Sequence, residues 1–117
     1  MVATVDQIVS VLRELAGAVV ARDAVRVAAL TAGKRLEAEE IAAALSIERR
    51  RLVAPNEETL RAIALECLEQ LRRHGAWCTA ELDLETDRGP SDLTLELRLT
   101  TGEPGVLTPE IDNLHVL

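Results

Sequence analysis

Carboxylates are the side chains in this sequence whose spacing could do chemistry, and they cluster in its last third. From Trp77 onward acidic and apolar residues alternate, which is the period of a strand with one face in a core and the other in water. Five acids are predicted to share the polar face of a sheet and are the candidate partner-binding residues: Glu81, Asp83, Glu85, Asp92 and Glu96. A turn centred on residues 88–89 places Glu81 opposite Glu96, and Glu85 opposite Asp92.

The net charge of the chain belongs entirely to this segment. Residues 1–76 hold 11 acidic and 11 basic side chains, whereas residues 77–117 hold 9 acidic and 2 basic ones, so the formal charge of −7 lies on the predicted strands. Three interpretations stay open: a solvated face that keeps a leucine-rich protein soluble, a docking surface for a basic protein, and a divalent cation site. A flat sheet face has no loop to wrap an ion, so we assign neither a metal nor a cofactor.

The other reactive residue types form no recognisable catalytic set. Asn113 and His115 alternate on a predicted strand, and together with Trp77 they are the candidates to line a pocket. Cys67 and Cys78 are predicted to be small buried core residues. No HExxH, P-loop, GxGxxG or GxSxG sequence occurs. The sequence therefore favours a non-enzymatic interaction domain, and its alternative is a pocket protein that binds or transforms a small apolar molecule.

Composition argues against other classes of function. With no basic excess and a single aromatic residue, the chain lacks both the phosphate contacts and the stacking surfaces of nucleic-acid binders. No apolar run has the length of a membrane span, and charges interrupt the apolar stretch at the N-terminus, so neither a membrane role nor a signal peptide is expected. The two cysteines have no CxxC spacing, and we expect a cytoplasmic protein. A homodimer is a further option, although face-to-face pairing of the acids would be repulsive.

Helices must support these strands. The hydrophobic period predicts four of them: about residues 5–21, a short helix from Asp23 to just before Gly33, residues 37–45, and residues 57–73. Thr4 and Gln7 have the spacing of a capping box at the first helix. Residues 46–56 are expected to be a connection. A strand is the rival interpretation of residues 57–73, because alternate residues there are also apolar.

The strands that follow are predicted as a meander. They run from Trp77 to about Glu85, over residues 93–99 and over residues 106–116, and Pro109 favours an edge position or a bulge. Helices followed by such a meander define an α+β class, in which the N-terminal helices pack on a three-stranded antiparallel sheet. We expect one domain over residues 1–117, helical to about residue 76.

Several stretches resemble a known family. Residues 91–97 (SDLTLEL), 111–117 (IDNLHVL), 35–41 (RLEAEEI) and 84–86 (LET) together resemble a family of small, functionally uncharacterised bacterial domains that end in this pattern. The resemblance implies no activity. In that family an acidic-Gly-Arg turn precedes the Ser-Asp pair, whereas here residues 87–90 read DRGP. More loosely, the helices and meander are similar to nuclear transport factor 2-like cone folds, which implies a pocket between sheet and helices.

Overall fold

Helices occupy the first part of the chain and a sheet occupies the second. The computed structural model describes residues 4–31, 36–102 and 107–116. Its elements are α1 (Val5–Val20), α2 (Ala24–Leu30), α3 (Ala38–Leu45), β1 (Leu52–Val53), α4 (Glu57–His74), β2 (Trp77–Thr86), β3 (Gly89–Thr101) and β4 (Leu107–Val116). The α+β class is as predicted, but the described sheet has four strands rather than three, because β1 lies inside the stretch expected to be a connection.

Local capping decides where the helices begin and end. Thr4 and Gln7 form the expected capping box, in which each side chain accepts from the other residue's backbone N–H. Asn56 caps α4 by accepting from the backbone N–H of Thr59 at 2.7 Å. Gly75 ends α4 with a φ of 81°, a left-handed conformation that glycine adopts without a Cβ clash. These caps confirm helix over the rival strand for residues 57–73. No helix in the described ranges is long and apolar enough to cross a membrane.

The sheet is antiparallel throughout, in the spatial order β1-β2-β3-β4. β1 pairs only with Glu85 and Thr86, at the far end of the ten-residue strand β2. Pro109 lies on β4, the edge strand, where its missing N–H costs no ladder bond. Among the described strands, β3 therefore runs along one edge of β2 over most of its length. The other edge of β2 is paired only at its end, by β1.

The β2–β3 hairpin turns at residues 87–88 and then changes register. Glu85 faces Pro90, so its predicted position opposite Asp92 is wrong. The physical reason is that the turn lies one residue earlier than the predicted 88–89. An irregularity then adds two residues to β3 opposite Leu84, which restores the predicted pairing of Glu81 with Glu96. Ser91 stabilises it, because its Oγ donates to the carbonyl oxygen of Leu84 at 2.7 Å and so replaces a ladder bond with a side-chain bond.

One face of the sheet packs on the helices and forms the core. Alternate residues of β2 are buried on this face, and α1 and α4 add their apolar stripes to the same cluster. The fully buried leucines of the two central strands are Leu82, Leu84, Leu93, Leu95, Leu97 and Leu99. The alternation therefore leaves the intervening acids of β2 and β3 on the outer face, which points away from the helices.

Arg22, between α1 and α2, forms hydrogen bonds with the end of α3 and the segment that leads into the sheet. Its backbone has a φ of 58°, an uncommon conformation for a residue with a Cβ. Its guanidinium donates to three backbone carbonyl oxygens, those of Leu45 at 2.7 Å, Glu48 at 2.6 Å and Arg50 at 2.8 Å. A single side chain thus satisfies carbonyl groups at and beyond the C-terminal end of α3.

Candidate functional site

Two glutamates lie directly opposite each other on the outer face of the sheet. Glu81 of β2 pairs with Glu96 of β3, as the hairpin register predicted. Directly opposed residues in an antiparallel pair have Cβ atoms about 5 Å apart, so these carboxylates share one small patch of surface. Like charges in this arrangement destabilise a sheet modestly and create a local negative potential that attracts a basic group.

Asp83 and Glu85 extend this patch along β2. Asp83 is exposed, and its Oδ1 accepts a hydrogen bond from the hydroxyl of Thr94 at 2.8 Å. Thr94 lies directly opposite on β3 and is only 4% exposed, so the bond orients the Asp83 carboxylate from the neighbouring strand while leaving it open to solvent. Glu85 is exposed at the end of the strand, opposite Val53 of β1. We call Glu81, Asp83, Glu85 and Glu96 the acidic face.

Asp92 lies apart from the acidic face. It is exposed and lines a small cavity of about 30 Å³ together with Ile47 and Glu48, at the end of the sheet. A hydrogen bond with Glu48 raises the pKa of Arg50, and the nearby charge of Asp92 adds to that effect. The structure therefore places this candidate in the field of Arg50 rather than opposite Glu85.

Arg98 lies on the outer face of β3 next to Glu96 and limits the acidic face there. The sequence does not reveal its contacts with Trp77 and Asp112. Its guanidinium lies 4.9 Å from the centroid of the Trp77 ring, a cation–π contact. Its Nε is 3.7 Å from Oδ2 of Asp112, and it faces Glu110 on β4. The alternation of Glu96 and Arg98 with leucines puts Arg98 on this face, but only the β3–β4 register shows which acids lie beside it. Glu110 and Asp112 therefore belong to a more neutral neighbourhood than Glu81.

The two candidate pocket residues whose side chains are described lie on the same outer face. Trp77 is 39% exposed, and its side chain alternates with those that point into the core. Asn113 is exposed and pairs with Glu96, so it too points away from the helices. The side chain of His115 lies outside the described residues, although its backbone pairs with Thr94. The two described candidates therefore do not face the space between sheet and helices.

A groove runs beside the acidic face, between α4 and the side of β2 that β1 leaves uncovered. Its volume is about 420 Å³, within the range of ordinary ligand sites. The residues that line it come from one stripe of α4 and from the middle of β2: Ile63, Glu66, Gln70, Thr79, Ala80, Glu81 and Asp83. Three of these residues are acidic and none is basic among the described lining. The groove thus continues the negative potential of the acidic face onto α4.

At one end of this groove the side chain of Gln70 makes the two hydrogen bonds to β2 that a neighbouring strand would make. Its amide nitrogen donates to the carbonyl oxygen of Thr79 at 3.0 Å, and its Oε1 accepts from the backbone N–H of the same residue at 2.9 Å. Glu66 and Gln70 are one helical turn apart on α4, a spacing visible in the sequence. Sequence alone does not show that this stripe lies beside β2, because that depends on how α4 packs against the sheet.

The two cysteines lie in the core between α4 and β2 with free thiols. A hydrogen bond with Cys78, together with burial, raises the pKa of the Cys67 thiol and so suppresses its nucleophilic thiolate form. Within the described residues no group of three or more His, Cys, Asp or Glu side chains has a metal-binding arrangement.

Comparison with known families adds one match. The model of a domain family described as "Domain of unknown function (DUF7668)" matches residues 16–117, and the chain belongs to that family. This confirms the expected membership of an uncharacterised domain family. No curated protein and no solved structure matches the chain significantly, so the similarity to cone folds stays a prediction.

Proposed function

For this member of the family we propose a non-enzymatic role as a small interaction domain that binds a basic protein partner through the acidic face. The observation that carries the proposal is the direct opposition of Glu81 and Glu96, with Asp83 exposed beside them. Basic groups of a partner are attracted to carboxylates that lie this close together.

The surroundings of the acidic face support this proposal. The described ion pairs involve other acids, and none of them joins Glu81, Asp83 or Glu85 to a described basic residue. Glu66 adds a fourth exposed carboxylate from the neighbouring helix. Clustered surface charge of one sign speeds association with an oppositely charged partner and disfavours acidic competitors.

One concrete version of this role is an immunity protein or antitoxin that neutralises a basic toxin. We place it in the cytoplasm, where free thiols such as those of Cys67 and Cys78 persist. A sheet that is acidic on its outer face repels a second copy of itself there, which favours a different protein as the partner over face-to-face self-association.

Affinity capture from a lysate of the native host, compared between low and high salt, tests the proposal. We expect the wild-type chain to retain basic proteins at low ionic strength and to release them at high salt, because exposed charge interactions are screened over about 10 Å in ordinary buffers. The same proteins should be lost from an E81K/D83K variant even at low salt.

The matched control is E14K/E69K, with one substitution on α1 and one on α4. Both glutamates are exposed and lie in ion pairs, Glu14 with Arg26 at 3.3 Å and Glu69 with Arg73 at 3.6 Å. Their double reversal changes the net charge by four units, as E81K/D83K does, while leaving the acidic face intact. Retention of the same basic proteins by E14K/E69K and not by E81K/D83K assigns binding to the acidic face. Equal retention by all three chains contradicts the proposal.

A further inference from the structure

Among the residues that the structure describes, no strand pairs with β2 along the groove, since β1 reaches only Glu85 and Thr86. Gln70 binds Thr79 N–H and C=O from the side away from β3, and Asp87 N–H donates to Arg51 of the segment leading into β1 on that same side. Backbone groups of residues two apart point to the same side of an antiparallel strand. The N–H and C=O of Glu81 and Asp83 therefore point into the groove, between the residues that Gln70 and β1 cover.

This open stretch has the dimensions of a short peptide site. Residues 79–83 span about 13 Å at the rise of a β-strand, which is room for roughly four residues of an added strand. Ile63 and Ala80 supply an apolar patch, while Glu66, Glu81 and Asp83 supply carboxylates. Successive side chains of an added strand point to opposite sides. In a peptide that alternates apolar and basic residues, the apolar side chains can therefore contact the apolar patch while the basic ones face the carboxylates.

We propose that an extended basic segment of the partner adds to the free edge of β2 in the groove beside α4. Gln70 already makes the hydrogen bonds of a strand neighbour at Thr79, which shows that the edge accepts such a neighbour in this geometry. Charge selects the segment, because three carboxylates and no basic residue are found among the described lining of the groove. This inference rests on the proposed function and specifies how the partner engages the same surface.

The test uses fluorescently labelled synthetic peptides of alternating lysine and valine. One peptide is unmodified. The second carries N-methyl groups on its odd-numbered backbone amides and the third on its even-numbered ones, which keeps every charge but removes the N–H donors on one edge of the peptide strand. We expect the unmodified peptide to bind and one N-methylated phase to bind at least about tenfold more weakly, since each lost backbone bond in a shielded site is worth about that factor. The amide protons of Glu81 and Asp83 should also become protected from hydrogen exchange.

Two variants of α4 provide a matched comparison. I63K puts a long cationic side chain into the groove, whereas L65K makes the same change at a position that is 52% exposed and absent from the groove lining. We expect I63K to abolish peptide binding and L65K to preserve it. The methylated peptides and the exchange measurement use the wild-type chain, so the test holds even if I63K fails to fold.

The outcomes separate this inference from the proposed function. Equal binding of all three peptides overturns strand addition and leaves binding through the acidic face intact. Absence of peptide binding, while partner capture still depends on Glu81 and Asp83, overturns the groove as the site. If capture itself is unaffected by E81K/D83K, the proposed function fails, whatever the peptides do.

Discussion

Replacing Arg22 should show how much the hydrogen bonds of its side chain to the end of α3 and the following segment contribute to the free energy of unfolding. Its guanidinium donates three hydrogen bonds of 2.6–2.8 Å to backbone carbonyl oxygens. A hydrogen bond from a charged group contributes about 1.5–3 kcal/mol, but these bonds share one exposed side chain that loses its conformational freedom. We therefore expect R22A to lower the free energy of unfolding by about 2–3 kcal/mol in total.

The backbone at this position supplies an internal control. Arg22 has a φ of 58°, which costs a residue with a Cβ about 1 kcal/mol relative to glycine. R22G should therefore be more stable than R22A by about that amount, although both variants lack the guanidinium. R22K keeps the charge but not the planar fork, and should fall between wild type and R22A.

Urea denaturation followed by far-UV circular dichroism measures these differences. With an m-value of about 2 kcal/mol/M, R22A should shift the midpoint down by roughly 1–1.5 M. A midpoint for R22A within about 0.25 M of the wild type would refute the reasoning, because it would mean that the three bonds contribute nothing net. An R22G variant less stable than R22A would refute the backbone argument separately.

Two further predictions concern thiols and acid stability. Cys67 and Cys78 should resist alkylation in the native state and react together only as urea unfolds the chain, since both are buried; reaction under native conditions would contradict their placement. A hydrogen bond from Arg13 lowers the pKa of Glu57, so its stabilising effect is present above the unfolded pKa and is lost as pH falls through the folded one. The stability difference between wild type and E57Q should therefore shrink on acidification, and a difference that grows would contradict the assignment.

Local signals account for the parts of the fold that the sequence predicts. The capping box of Thr4 and Gln7 and the glycine after α4 act within a few residues, so the helix limits can be predicted from short stretches. The opposition of Glu81 and Glu96 agrees with the prediction because two deviations cancel: the turn lies one residue earlier than predicted, and the irregularity adds two residues to β3. β1 escapes prediction because two residues carry no periodic pattern and its pairing with Glu85 depends on the rest of the fold.

The site could be predicted in part for the same reason. Alternation identifies which acids of β2 and β3 share a face, but it assumes a regular ladder. Asp92 lies inside the irregularity beside Ser91, where that assumption fails. The contact of Arg98 with Trp77 needs the strand register, and the groove beside Gln70 needs the packing of α4 on the sheet. Of the five predicted acids, four therefore form the acidic face, and Asp92 lies apart from it.

The central claim is that basic ligands bind the acidic face rather than the acids of the helical part. A titration of the ¹⁵N-labelled chain with a short oligolysine peptide, followed by amide chemical shifts at low salt, tests it most directly. The account predicts shifts concentrated at Glu81, Asp83, Glu96 and the adjoining groove residue Glu66, which disappear at high salt. Shifts spread evenly over the acids of α1, α3 and the sheet, or confined to the helices, would contradict it.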